Sequence, residues 1–372
     1  MTRERASAHS LNRREMCRAL LSTWSLPVLG LPLAACGALP TEGFGSGAGG
    51  GDAALLLPLS GPASGLGQNM GRAAGLVTQG MPPSQAPAIF DTADTAEGAA
   101  LAARQALDQG AKLLLGPLRS DQTPAVLAVA GNVPVVTFSN DEALAAQGAF
   151  VMGITPAQSV ATMFSYARAQ DISRIALVAQ DGPLGAASAR AAQAVAAAGG
   201  ITLSTVMRPD ASAEGLMAAI LAANAGRLPQ AVFLPEGGAA LTAFARALSG
   251  SGLKLLGSVQ WGVQEVTGNA DLAEAWFAAP PPDLFLPFAD RFAAAFGEQP
   301  GVIAGLGHDA ALMAVGLGNA SELSRDGLLR PAGFTGVLGA FRFAPNGRCQ
   351  RDLAVLSVEQ GSIVALREVE GT

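Results

Sequence analysis

Two α/β lobes, each a doubly wound parallel sheet with helices on both faces, are the fold this 372-residue chain predicts. Three observations predict it. Short apolar runs alternate with stretches of helical periodicity from residue 53 onward, which is the pattern of βαβ units. The alternation pauses at Thr155-Pro156 and then restarts, so a second sheet of the same kind follows the first. Half of the residues are hydrophobic while only 5% are aromatic, so there is enough apolar material for two cores, built from Ala, Val, Leu and Ile with closely packed helices.

In the first lobe, strands at 54–58, 88–90, 112–115 and 133–137 alternate with helices at 65–78, 96–109 and 121–130. In the second, strands at 174–179, 201–206, 230–234 and 254–256 alternate with helices at 157–169, 184–198, 213–223 and 239–248. Crossovers between parallel strands are right-handed. Pro280-Pro281-Pro282 marks a second crossing between lobes, followed by helices at 285–296 and 303–317. The character then changes: 340–345, the Asn346-Gly347 turn, 354–358 and the Gln360-Gly361 turn read as short antiparallel strands. No repeat of solenoid period is present. The domain boundaries are 1–35 for a leader, 36–52 for a tether, 53–155 plus 283–330 for lobe 1, and 156–282 plus 331–372 for lobe 2. Hinge positions fall near Thr155, Pro280 and Pro331.

The leader has a basic stretch with Arg3, Arg5, Arg13, Arg14 and Arg18, then an apolar run from 19 to 35, too short for a membrane span and closing on Leu33-Ala34-Ala35-Cys36. That ending is the form read by bacterial lipoprotein-processing enzymes, so Cys36 is the expected lipidation site and the rest is expected to be exported. Arg13-Arg14 fits either a twin-arginine signal or an ordinary basic n-region. Gly37, rather than an aspartate, follows the cysteine, which points to the outer membrane. Residues 37–52 are rich in glycine and form a flexible tether.

The leader carries five arginines against Glu4 and Glu15, so its loss takes the net charge from −6 to −9. A protein this acidic is a poor nucleic-acid binder. Cys17 leaves with the leader and Cys36 is acylated, which strands Cys349 and leaves no intramolecular disulfide. Beyond the leader His308 is the sole histidine, so no zinc spacing exists, and no metal or cofactor is expected.

Other motifs dissolve on inspection. Ser251-Gly252-Leu253-Lys254 matches the S-x-x-K of serine transpeptidases, yet the chain's other lysine, Lys112, supplies no K-T-G partner, and the segment reads as a loop before a strand. Gly65-Leu66-Gly67 and Gly305-Leu306-Gly307 are partial dinucleotide fingerprints better explained by tight turns and close helix packing. His308-Asp309, at a helix start, reads as structural. No nucleophile, base and orienter coincide, so an enzyme is not expected.

Four segments carry a family resemblance: 55–62, LLLPLSGP; 115–120, LGPLRS; 285–311 with Phe296-Gly297 and Gly307-His308-Asp309-Ala310; and 333–347, from Gly333-Phe334-Thr335-Gly336 to Phe343-Ala344-Pro345-Asn346-Gly347. On these the chain resembles the type 1 periplasmic binding proteins of the leucine/isoleucine/valine-binding kind. The resemblance implies a ligand held between the lobes, with its carboxylate on a helix start and hydroxyls of the first lobe. The matching positions are Ser120 with Asp121, and Thr137 with Ser139; Asp121 also suits the N-cap of its helix.

The second half of such a site departs from the pattern. Leu184 and Leu66 stand where aromatics are usual, and the loop 257–260 lacks the expected acid. Glu236, at a strand end facing the cleft, is either a substitute ammonium partner or a helix-start carboxylate. Trp261 either stacks on a ligand or covers the lobe interface. The lipobox, the tether and the eroded clamp resemble a branch of the family, the penicillin-binding protein activators. That branch implies a non-catalytic lipoprotein that contacts a peptidoglycan synthase. The alternative is the solute-binding subunit of an amino-acid or amide ABC transporter, whose partner is a permease.

Overall fold

The computed structural model describes residues 51–367, so the leader, Cys36 and the tether up to residue 50 lie outside the described residues. The first sheet begins with β1 (Ala53–Leu57), whose five residues are all buried, as a central strand covered on both faces requires. It continues through α1 (Ser64–Thr78), β2 (Ala88–Asp91), α2 (Ala96–Asp108), β3 (Leu113–Leu115), α3 (Thr123–Ala130), β4 (Val135–Thr137) and β5 (Phe150–Val151). The order is β2-β1-β3-β4-β5 and every pair is parallel. Thr95 caps α2 by accepting the Gly98 N–H. β5, only two residues long, offers no periodicity to read, and the sequence does not announce it.

α4 (Pro156–Ala169) opens the second half with a capping box: Thr155 accepts the Gln158 N–H while the Gln158 side chain accepts that of Thr155. There follow β6 (Arg174–Ala179), α5 (Pro183–Ala197), β7 (Thr202–Met207), α6 (Ala213–Ala223), β8 (Ala231–Leu234), α7 (Gly238–Ala247), β9 (Lys254–Gly257), the short α8 (Val263–Thr267) and β10 (Trp276–Ala279). These five strands are parallel in the order β10-β9-β8-β6-β7.

The chain then returns to the first lobe with α9 (Pro282–Phe296), α10 (Val302–Asn319) and α11 (Arg325–Leu328). α10 is apolar and long enough to cross a membrane, but 67% of it is buried within the fold. It lies close on α1, where a Cβ at Gly307 would collide with the backbone of Met70. Gly307 of the partial fingerprint therefore serves helix packing, and Gly305 makes room for the Leu338 side chain.

The tail forms β11 (Phe334–Gly336), β12 (Gly339–Phe343) and β13 (Cys349–Arg351), a small antiparallel sheet, and then β14 (Ala354–Glu359) and β15 (Ser362–Arg367), which extend the second sheet antiparallel from β10. The small sheet corrects the lobe boundary. It packs on the first lobe: Val151 donates to the Gly347 carbonyl at 2.9 Å, Phe343 meets Phe150 edge-on, and Asp309 of α10 accepts the amides of Val337 and Leu338 at 2.7 and 3.1 Å. The third crossing is consequently at Asp352-Leu353 and not near Pro331.

His308 and Asp309 are part of this junction. Asp309 is 1% exposed, and the buried guanidinium of Arg351 lies 3.5 Å from its Oδ2 and over the ring of Phe341. His308 packs edge-on against Phe288. Asp309 holds the small sheet to α10, while His308 packs α10 against α9. One apolar core runs from Leu55 and Phe150 through Val160, Met163 and Phe164 of α4 to Ile175 and Phe233.

Candidate functional site

Each sheet contains one reversal of strand order, between β1 and β3 in the first and between β6 and β8 in the second. Crossovers on either side of such a point run to opposite faces, so the carboxyl ends of those strands open a crevice in which doubly wound folds bind ligands. The start of α4 borders both edges. Thr155 donates its hydroxyl to Glu142 Oε1 at 2.7 Å in the segment after β4, and Ser159 Oγ accepts the Val259 amide at 3.4 Å after β9.

The first edge is heavily ordered from within. Asp91, the last residue of β2, accepts the amides of Leu59, Ser60 and Ala93 and the hydroxyl of Ser60 at 2.6 to 3.2 Å. Burial works to raise its pKa, but those four hydrogen bonds outweigh it and hold the carboxyl below its usual range. Asp94 accepts the Ala63 amide and the Gln122 side-chain amide, and its carboxylate is 4% exposed. The loop after β3 starts at Gly116, in a left-handed conformation of φ 124° that only glycine adopts freely, and the Gly116-Pro117 bond is cis.

Ser120 and Asp121 are exposed at the tip of this loop. Asp121 does not cap α3: the helix starts two residues later, at Thr123-Pro124, with Gln122 before it, and Asp121 pairs instead with Arg119 at 3.2 Å. Arg119, whose pKa is raised first by its hydrogen bond to Asp121, also lies 3.7 Å from Asp94. Thr137 and Ser139 are buried and committed. The Thr137 hydroxyl shares hydrogen bonds with Thr123 Oγ1, the Pro117 carbonyl and the Ser139 amide, and Ser139 Oγ accepts the Asp141 amide. Those bonds brace the loops after β3 and β4.

On the second edge Glu236 follows β8. It does not cap its own helix, since Gly237 precedes α7 without a side-chain bond; its Oε1 accepts the Gln180 amide at 3.0 Å, joining the ends of β8 and β6 across the reversal. Its Oε2 is shielded from water and has no hydrogen-bond partner. Burial pushes its pKa up, opposed by the Gln180 N–H.

Trp261 packs into the core of the second lobe. It is 3% exposed, its Nε1 donates to the Leu234 carbonyl at 3.0 Å, and its ring stacks on Phe277 above Gly257, because only a glycine at 257 leaves room for the indole. Leu66 is exposed and Leu184 half-exposed where an aromatic clamp would stand.

Of the expected residues, Ser120 and Asp121 therefore sit on one edge and Glu236 on the other, while Thr137, Ser139 and Trp261 are buried with their polar atoms bonded within the protein. Asp91, Asp94, Arg119, Gln122 and Gln180 also border these edges. The signal for the first two is Asp91-Thr92-Ala93-Asp94, two carboxylates and a hydroxyl directly after an apolar run. Among the described residues no group of three or more His, Cys, Asp or Glu could hold a metal ion.

A sequence profile described as periplasmic binding protein matches residues 53–362. The chain belongs to this family. No curated protein matches the chain. Among solved structures it is similar to a protein described as a branched-chain amino acid ABC transporter from Rhodospirillum rubrum, with TM-score 0.72, 21% identity, and coverage of 84% of this chain and 99% of that one. It is similar to a leucine-binding protein, LivK, from Thermotoga maritima, with TM-score 0.60, 18% identity and coverage of 84% and 97%. It is also similar to full-length LpoA from Haemophilus influenzae, with TM-score 0.65, 17% identity and coverage of 85%, against 58% of LpoA. At these identities the likenesses establish the bilobed fold. The matching profile makes it a periplasmic binding protein, with a fold shared by these transporter-described proteins and by LpoA.

Proposed function

We propose that this periplasmic binding protein is the solute-binding subunit of an ABC importer, closing on a small molecule at the paired reversal points and presenting it to a permease. One observation carries the reading. The loops at the two reversals are each ordered from within their own lobe, and among the described residues no side-chain hydrogen bond or ion pair joins one set to the other. With no such tie between them, the two sets of loops can part and meet as the lobes hinge about their crossings. Support comes also from coverage, since the chain spans nearly the whole of the solute-binding relatives but 58% of LpoA.

A second reading, a non-catalytic regulator that contacts a peptidoglycan synthase, is favoured by the inward commitment of Thr137 and Ser139, which removes two hydroxyls from any ligand clamp. Under both readings the chain sits at the periplasmic face, anchored by lipid on Cys36; the outer-membrane placement that Gly37 favours fits the regulator reading, whereas a permease requires the inner membrane. Cys36→Ala then releases it from the membrane fraction.

Hydrogen exchange with and without a small-molecule extract of the source cell separates the readings. A bound solute slows exchange at 58–63, 116–122, 180–186 and 235–238. If those segments exchange alike in both samples while a purified synthase protects some other surface, the transport reading fails.

A further inference from the structure

The acceptors left unpaired at the two edges identify a class of solute. This inference rests on the solute-binding reading and deepens it. At the second reversal Glu236 Oε2 has no donor; at the first, Gln122, a residue 1% exposed, has its Oε1 without a donor while its Nε2 is spent on Asp94. Because that Nε2 faces a carboxylate, the amide orientation is settled, and the orphan atom is an acceptor. A shielded acceptor without a donor is costly to fold unless a partner arrives. Thr92, after β2, adds a buried hydroxyl without a partner, able to serve in either sense.

Of the groups that would receive a ligand carboxylate, all but the exposed Ser120 hydroxyl are spent. Thr137 and Ser139 are bonded inward, and Arg119 is already neutralised by Asp121 and Asp94. Arg208, after β7, is paired with Asp181 at 2.6 Å. At the ends of β2, β3, β6, β7 and β8 and on the loops that follow them, the six carboxylates of Asp91, Asp94, Asp121, Asp181, Asp210 and Glu236 stand against these two guanidiniums. An anion entering here meets repulsion; a cation is drawn in.

We propose that the solute is a small organic amine without a carboxylate, its ammonium taken by Glu236 and a second donor group by Gln122. Glu236 remains partly exposed, so rotation of its carboxylate about the soft terminal torsion presents Oε2 to the crevice.

The test is calorimetry on the full-length protein with three probe sets: the amines isoamylamine, putrescine and spermidine; the carboxylates 4-methylpentanoate and benzoate; and the zwitterion leucine. The inference expects saturable binding among the amines and none among the carboxylates, with leucine at least about tenfold weaker than the best amine. Glu236→Gln, which keeps an acceptor for the Gln180 amide, should cost amine binding about tenfold or more while leaving cooperative unfolding intact. A purely architectural carboxylate would not split the two readouts. Binding of a carboxylate or leucine with the amines silent overturns the inference and leaves the solute-binding reading standing. Silence from all probes overturns the inference, while the solute-binding reading then stands or falls on hydrogen exchange with the cell extract; unchanged amine affinity in Glu236→Gln removes Glu236 from the site.

Discussion

Two carboxylates, Asp309 at the junction of α10 with the small sheet and Glu236 at the reversal of the second sheet, sit in opposite states of satisfaction. Asp309 accepts two backbone amides, lies against Arg351 and has the His308 ring at 3.3 Å, so both of its oxygens are used. Glu236 uses one oxygen and leaves the other bare. A saturated buried carboxylate is architecture, because removing it strands its partners. A half-satisfied one at a crevice is a position held open at some cost to the fold.

The largest expected effect lies on the saturated side. Asp309→Ala strands the buried Arg351 guanidinium and should cost about 3–5 kcal/mol in urea unfolding. Arg351→Met added to it should return part of that loss, since the pair removed together leaves no lone charge. A double variant weaker than Asp309→Ala alone would break the claim that the two residues act as one unit.

Next comes Asp91, the satisfied carboxylate of the first edge. Asp91→Ala should cost about 1–2 kcal/mol, for four hydrogen bonds at a part-exposed site. Its folded pKa lies below the unfolded value, so its stabilisation is present above the usual carboxylate range and disappears as pH falls through the folded pKa. The gap between wild type and Asp91→Ala should therefore close in acid.

Glu236 has the opposite sign. Its folded pKa is raised, so its penalty is present above that pKa and is relieved as pH falls through it. Glu236→Gln should match or exceed wild-type stability at pH 7, by up to about 0.5 kcal/mol, and the difference should vanish in acid. Destabilisation at pH 7 would make Glu236 architectural, like Asp309.

The smallest effect concerns Cys349, buried beside this junction, with its thiol pushed up to about 11 chiefly by desolvation. In the folded protein at pH 8 it should resist a thiol reagent for as long as Asp309 holds the small sheet in place, and react once urea unfolds it. Rapid native labelling would show that the sheet detaches.

Much of this fold is legible in the sequence because doubly wound strands such as Ala53–Leu57 are buried on both faces and read as unbroken apolar runs. β5, two residues long, and the placement of β11 to β13 on the first lobe are not legible: one is too short for a period, and the other depends on Asp309 reaching the Val337 and Leu338 amides across 28 and 29 residues. At the site, Ser120, Asp121 and Glu236 could be named because strand ends are visible. What could not be read was whether a hydroxyl or an indole points outward. Thr137 and Trp261 have chemistry suited to a ligand, but a carbonyl at Pro117 and another at Leu234 claim them first.

Native mass spectrometry of the protein purified without unfolding tests the central claim most directly. The solute-binding account predicts, beside the bare protein, a species heavier by one small molecule, lost on mild collisional activation and reduced in Glu236→Gln. A single bare mass, unchanged by incubation with a small-molecule extract of the source cell, would contradict it.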